Sequence, residues 1–458
     1  VGLVVGDALE QQFKSAGSIP TAVNLHFTRA CNAKCRFCYA HFHDHRDVLS
    51  PAEWAIIIEQ LASLGVTKVN FVGGEPTLSK DLHVMLSAAK RLGLTTSIVS
   101  NGFRLRPLLE DWGHLLDWVG LSIDAADDDV NERIGRGRVI DEALALLALA
   151  QARGCRTKIN TVVTALNVDE SFAPVLKRHR PDRWKVFQVL PIAGENDDAT
   201  DLFIDSAAFA GYLARHAAWD PIGEDNEDMT GSYLMVNPEG RFFDNVGGAM
   251  HASDPILDVG VDAALAQVRV MVDRFVDRGG VYDWRPTRPT GFDARWVALE
   301  GLDGVGKSTT VTRLAERLAA VVVRNPPTSM AAERAWADAQ PEPARRTWYE
   351  RANQRAAEEA LTALAKGRHV VMDRSAASTV VYAEASQGRV AAIWPTRVPK
   401  PDLVIALEVP EHVRQARIGS RPVRTPEEDA VAHDDEFNAR LRAAWASRSP
   451  TPKRARPG

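Results

Sequence analysis

A chain of 458 residues exceeds what one ordinary core organises, so two domains are expected. Hydrophobic residues at 45%, charged residues at 25% and a net charge of -5 exclude large-scale disorder and give no general electrostatic footprint for nucleic acid. No apolar run approaches the roughly 18 residues of a membrane span, the opening VGLVVGDAL lacks the basic flank and cleavage site of a signal peptide, and four cysteines make no disulfide framework, so a reducing, cytoplasmic setting without membrane or direct nucleic-acid partners is expected.

In chain order, TAVNLHFT reads as a strand, and SPAEWAIIIEQLASLG carries N-cap Ser50, Pro51 in the first turn and terminal Gly65, the punctuation of a helix. VTKVNFV is a strand, KDLHVMLSAAKRLG a helix, TTSIVS and WVGLSID strands, DEALALLALAQARG a helix, and KINTVVT and RWKVFQVL strands. Strands alternating with helices over short connectors specify a parallel sheet covered by helices, and the number of units predicts an α/β chain with a partial (β/α)6 barrel. RPTRPTGFDAR, rich in Pro and Thr, reads as a linker. Beyond it come strand RWVALE, a glycine loop, helix TTVTRLAERLAA, the helical stretch WYERANQRAAEEALTALAKG and strands HVVMD and DLVIALEV, a P-loop NTPase-type α/β pattern. The expected division is 1–285, linker 286–294, and 295–458 with a disordered tail SPTPKRARPG.

Cys31, Cys35 and Cys38 form CxxxCxxC, while Cys155 lies far along the chain at a helix-to-strand turn. Zinc sites and ferredoxins ordinarily use four ligands, so three suggest a metal centre left open at one position. That spacing, with FVGGEPTL after the next strand, resembles the radical S-adenosylmethionine superfamily, in which three thiolates hold a [4Fe-4S] cluster whose fourth iron binds S-adenosylmethionine. The resemblance implies that Gly73, Gly74, Glu75 and Pro76 bind the cofactor's amino group, a carboxylate pairing with an ammonium, and that Ser100, Asn101 and Ser122 contact the cofactor. A zinc site completed by His41, His43 or His45 is the alternative, and it leaves GGEP unexplained. With one cysteine left over, the chain has no ligands for further clusters.

Alternation puts Lys68 with Asn70, Lys158 with Asn160, and Arg183 with Lys185 on shared strand faces. Several cations facing one lumen repel one another unless a polyanion such as a triphosphate neutralises them, whereas solvent-facing edge positions would need no partner. NLHFTRACNAKCRFCYAHF, KVNFVGGEPTL, IGRGR, KINTVV, RWKVFQVLPIAGEN, SYLMVNPEGRFFDN, ILDVGVDAAL and RGGVYDW resemble the viperin family over residues 20 to 285. The resemblance implies dehydration of a nucleoside triphosphate (CTP, UTP or GTP) to its 3′-deoxy-3′,4′-didehydro form, a chain terminator for viral polymerases, driven by an external electron donor. It places phosphate-gripping residues at Lys68, Arg136, Lys158, Arg183 and Lys185, with Asn70 and Asn160 in the substrate site, and Tyr233 as proton donor, ribose contact or rim-packed phenol. The membrane-lying helix of animal members has no counterpart in this sequence, and their C-terminal tail after the position of Trp284 is replaced by the linker.

GLDGVGKST fits G-x-x-x-x-G-K-[ST] between a strand and a helix. Gly301, Gly304 and Gly306 shape a phosphate cradle, Lys307 meets the outer phosphates, and Ser308 and Thr309 open the helix at the magnesium site. EGLDGVGKST, VVMDR and PDLVIALEVP resemble thymidylate kinases, which implies ATP and Mg2+ as cofactors, Asp373 and Arg374 organising metal and acceptor, and Arg417, Arg421 and Arg424 as lid arginines or, alternatively, a solvated basic surface. Asn325 and Ser375 depart from that family's common residues. The combined expectation is a radical dehydratase fused to a nucleoside monophosphate kinase that feeds it. Its rivals are a radical enzyme of another type, in cofactor biosynthesis or protein activation, and a non-enzymatic redox and nucleotide switch.

Overall fold

The computed structural model describes residues 19–284, 293–341, 344–387, 394–420 and 435–446. The opening segment, most of the linker, the tail, Arg421 and Arg424 lie outside these. The chain forms two compact units, Val1–Phe292 and Asp293–Gly458. Among the described residues no helix is long and apolar enough to cross a membrane.

In the first unit the strands are β1 (Ala22–His26), β2 (Lys68–Val72), β3 (Thr95–Ser100), β4 (Trp118–Ser122), β5 (Arg156–Val163), β6 (Arg183–Gln188), β7 (Ile222–Glu224), β8 (Leu234–Val236), β9 (Arg241–Asp244) and β10 (His251–Pro255). They form one sheet in the order β10-β9-β8-β1-β2-β3-β4-β5-β6-β7. Pairing is parallel from β8 across to β7 and antiparallel only at β9 and β10. Six consecutive parallel strands in chain order are the expected partial barrel, with an added strand on one flank and three on the other. Helices return the chain between strands, and Pro51–Ser63 begins as its sequence predicts: Ser50 and Glu53 form a capping box with Pro51 in the first turn. The helices Leu105–Trp112 and Asp128–Ile134 are only eight and seven residues long, too short for a period to stand out in the sequence. A buried ion pair, Lys90 to Asp117 at 2.8 Å, ties the helix Leu82–Arg91 to the start of β4, and Asp117 also accepts from the Thr96 amide.

The sheet curls far enough for its flanks to meet. Tyr233, just before β8, donates its hydroxyl to Glu224 on β7. The opposite, amino-terminal ends of the strands are crossed by Gly279–Trp284: Arg183 donates to the Gly279 carbonyl at 2.7 Å, Arg156 to Asp283 at 2.7 Å and Trp118 to Trp284 at 3.1 Å.

The second unit has β11 (Trp296–Glu300), β12 (Val321–Arg324), β13 (Val370–Asp373) and β14 (Leu403–Ala406), all parallel in the order β12-β13-β11-β14. The helix after the glycine loop runs Lys307–Leu318, two residues earlier than its apolar pattern indicates. A strand at Val321–Arg324 had not been foreseen.

Candidate active site

The loop between β1 and the first helix carries the three cysteines. Cys35 is buried, Cys38 half-buried and Cys31 exposed. Burial pushes all three thiols up, Cys38 to about 12, and Arg136 opposes that shift at each. Backbone amides help as well: Ala33 donates to the Cys31 sulfur at 3.4 Å. The histidines of the zinc alternative are engaged elsewhere, His41 with the Glu195 carbonyl at 2.9 Å, His43 stacked on His41 and His45 beside Glu239. Among the described residues no three His, Cys, Asp or Glu side chains converge on a single ion. Three thiols spread over one loop, each with Arg136 nearby, fit a polynuclear cluster that takes each thiolate at a separate corner. Cys155 is apart, buried and donating to the Leu116 carbonyl at 3.2 Å.

GGEP lies after β2, folded against the continuation of β1. Gly74 donates to the Thr28 carbonyl at 2.8 Å and Glu75 to Ala30 at 2.7 Å. A Cβ at Gly73 or Gly74 would stand 2.4 or 2.3 Å from those carbonyl oxygens, so only glycine permits the approach. The Glu75 carboxylate is 1% exposed and accepts from the Thr77 amide and hydroxyl, the Ser100 hydroxyl at 2.8 Å and the Asn101 amide at 2.7 Å. Those bonds lock the loops after β2 and β3 together. Asn101 continues the lock to the cysteine loop through Asn32 at 2.7 Å. Ser122 closes β4 opposite Asn160.

The lumen holds the expected cations. Lys68 donates to the Tyr282 hydroxyl, and Arg183 lies over the Tyr282 ring at 3.9 Å. Lys185 pairs with Glu224 and donates to the Tyr233 hydroxyl at 3.1 Å. Arg278, which the sequence did not single out, joins Glu224 at 3.1 Å and stacks on Tyr233 at 3.6 Å. Burial and neighbouring positive charge lower Lys68 to about 7. Burial lowers Lys158 to about 8, with Lys68 and Arg183 adding to the fall, and Lys185 drops well below its ordinary value. Burial would raise Glu224, yet Lys185 and Arg278 outweigh it and hold the carboxyl near 2. Four basic side chains, Lys158, Arg183, Lys185 and Arg278, thus share the Glu224 carboxylate, while Lys68 feels Asp117. Two buried acceptors on these strands have no hydrogen-bond partner, Asn70 Oδ1 and Asn160 Oδ1, and neither ring nitrogen of His26, packed among Tyr39, Phe42 and Phe243, has one. Arg136 keeps different company, paired with Asp124 at 2.8 Å and lying over Phe37 of the cysteine loop at 5.6 Å.

In the second unit Lys307 is buried, donating at 2.9 Å to the Gly301 and Leu302 carbonyls of the loop that also carries Gly304 and Gly306. Burial, then Arg374, lowers its ammonium to about 8. Ser308 donates to Asp373 at 3.3 Å, which brings both magnesium-side candidates together, and Thr309 follows in the first helical turn. Arg374 pairs with Asp303 and donates to Ser378 at 3.1 Å. Arg417 reaches the Val305 carbonyl at 3.1 Å. Asn325 donates to Asn353 at 2.7 Å, and Ser375 donates to buried Glu300. Glu300 and Asp303, which hold Ser375 and Arg374, are not marked by motif spacing alone.

A cofactor loop over a partial parallel barrel, followed by a P-loop α/β unit, defines a radical S-adenosylmethionine protein joined to a nucleotide kinase fold. Residues 25–178 match the Radical SAM superfamily, and residues 299–446 match Thymidylate kinase. The chain is 40% identical over 285 residues to the S-adenosylmethionine-dependent nucleotide dehydratase of Flammeovirga pacifica, covering 59% of this chain and 98% of that protein. It is 38% identical to that of Lacinutrix mariniflava over 63% of this chain and 64% of that longer protein. It is 35% identical to that of Oncorhynchus mykiss over 61% of this chain and 84% of that protein. The chain belongs to the S-adenosylmethionine-dependent nucleotide dehydratase family.

Proposed function

We propose that the first unit dehydrates a nucleoside triphosphate, with cytidine, uridine or guanosine as base, to its 3′-deoxy-3′,4′-didehydro form, and that this product terminates chain synthesis by viral polymerases. The observation that carries this reading is the surplus of buried cations around Glu224. Left alone, such charges cost several kcal/mol each in desolvation and repel one another, so they call for a polyanion. Lys68, Lys158, Arg183 and Lys185 grip the phosphates. Asn160 and Asn70 offer their unpaired oxygens to hydroxyl or amino donors of the nucleotide. Cys31, Cys35 and Cys38 hold the [4Fe-4S] cluster. When bound, cluster and S-adenosylmethionine supply the 5′-deoxyadenosyl radical that removes hydrogen from C4′ of the ribose, with electrons from an external donor. The GGEP backbone and the Ser100–Asn101 turn, fixed by Glu75, frame the cofactor, and Arg136 supports the thiolates. Anaerobic incubation with each triphosphate should yield 5′-deoxyadenosine and a nucleotide lighter by one water; cofactor cleavage that leaves every triphosphate intact would overturn the assignment.

The second unit supplies the substrate by phosphorylating a nucleoside monophosphate toward the triphosphate, using ATP and Mg2+ at Lys307, Ser308 and Asp373, with Arg374 at the acceptor. In the full chain, with ATP and an added nucleoside diphosphate kinase for the last phosphoryl transfer, Lys307→Ala should stop product formation from the monophosphate and spare that from the triphosphate. Equal yields from the monophosphate with and without Lys307 would remove the supply role.

A further inference from the structure

Glu224 is the carboxylate that meets Lys185 and Arg278 directly, it is fully buried, and no motif accounts for it. One oxygen accepts the Tyr233 hydroxyl, and the other meets Lys185 and Arg278. Arg278 also donates to the Ser232 carbonyl at 3.2 Å, fixing the backbone next to Tyr233. The Tyr233 hydroxyl proton is therefore committed to Glu224, while Lys185 donates to the same phenol oxygen at 3.1 Å. A phenol oxygen in that state has acceptor capacity left and no proton to give.

We propose that Glu224 is the positioning residue of the nucleotide pocket: it orients Tyr233 so that the phenol oxygen receives a hydrogen bond from a sugar hydroxyl, and it holds Lys185, one of the phosphate-gripping cations, against the same phenol. The inference rests on the dehydratase reading and refines it, because it assigns Tyr233 as a ribose acceptor instead of a proton donor. The flanks of the sheet, β7 and β8, are joined through this contact, so the same carboxylate that shapes the pocket also sets its width.

The charge balance gives the role a distinctive signature. Glu224→Gln removes the negative charge paired with Lys185 and Arg278, so triphosphate binding is not weakened, while the phenol loses its fixed acceptor. In the full, reconstituted chain the expected result is an unchanged or lower KM for the triphosphate, a kcat at least tenfold lower, and more 5′-deoxyadenosine released per nucleotide dehydrated. Glu224→Asp should recover part of the coupling. If Glu224 acts through the phenol, the double variant Glu224→Gln with Tyr233→Phe is no worse than Tyr233→Phe alone. Nucleotide-independent formation of 5′-deoxyadenosine, measured in each variant, reports that the barrel and cluster are intact. A raised KM with unchanged kcat, full coupling in Glu224→Gln, or additive losses in the double variant would each overturn the role. Failure of the wild-type chain to dehydrate any triphosphate would instead overturn the parent reading and this inference with it.

Discussion

The Gly120 backbone on β4 lies directly beneath the Lys158 side chain on β5: a Cβ at Gly120 would come within 2.8 Å of Lys158 Cε. The nearest obstacle is the far end of a flexible chain, with the Ile98 carbonyl and Val99 Cγ2 tight at 3.3 Å, so Gly120→Ala should chiefly displace the ammonium. Stability is expected to change by no more than about 1 kcal/mol, and the KM for triphosphate to rise roughly tenfold, the value of one charge-assisted hydrogen bond. Urea unfolding together with steady-state kinetics checks both halves.

The lowered lysines predict a pH dependence with a definite sign. Lys68 and Lys158 bind protons less readily in the empty fold than unfolded, at about 7 and 8 against 10.5. They therefore oppose folding at low pH, and stability from these groups rises as pH climbs from about 7 to 10.5. A bound polyanion favours the charged forms, so binding takes up protons and weakens above neutrality, by at most roughly tenfold per lysine per pH unit. Titration calorimetry in two buffers of different ionisation enthalpy should show proton uptake near pH 8.

How far the sequence reached depends on the length of each signal. Lys68, Lys158, Arg183 and Lys185 were legible because β2, β5 and β6 are long enough for period-two alternation to reveal a face. Glu224 was not, since β7 is three residues long and its partners Lys185, Tyr233 and Arg278 are 9 to 54 positions away. His26 lies on the strand that TAVNLHFT indicates, yet an imidazole left without hydrogen-bond partners has no sequence signature. GGEP was recognised, but the locking role of Glu75 depends on Ser100 and Asn101, which meet it only when β2 and β3 pair.

Glu75→Gln tests that locking role. The amide would set its own donors against the Ser100 and Asn101 donors, which should cost about 2–3 kcal/mol of stability and weaken S-adenosylmethionine binding without removing iron. Chemical unfolding, cofactor titration and iron analysis separate these effects.

The cysteines divide three to one. Replacing Cys31, Cys35 or Cys38 by Ala should abolish the iron-sulfur absorbance and 5′-deoxyadenosine formation, whereas Cys155→Ser, altering a buried thiol that donates to the Leu116 carbonyl, should leave iron content unchanged. Anaerobic reconstitution followed by visible spectroscopy and iron assay distinguishes them.

The most direct measurement uses a triphosphate deuterated at C4′. The account predicts one deuterium in the 5′-deoxyadenosine released and none at that carbon of the dehydrated product. Unlabelled 5′-deoxyadenosine formed alongside dehydrated nucleotide would contradict hydrogen removal from the ribose in this barrel.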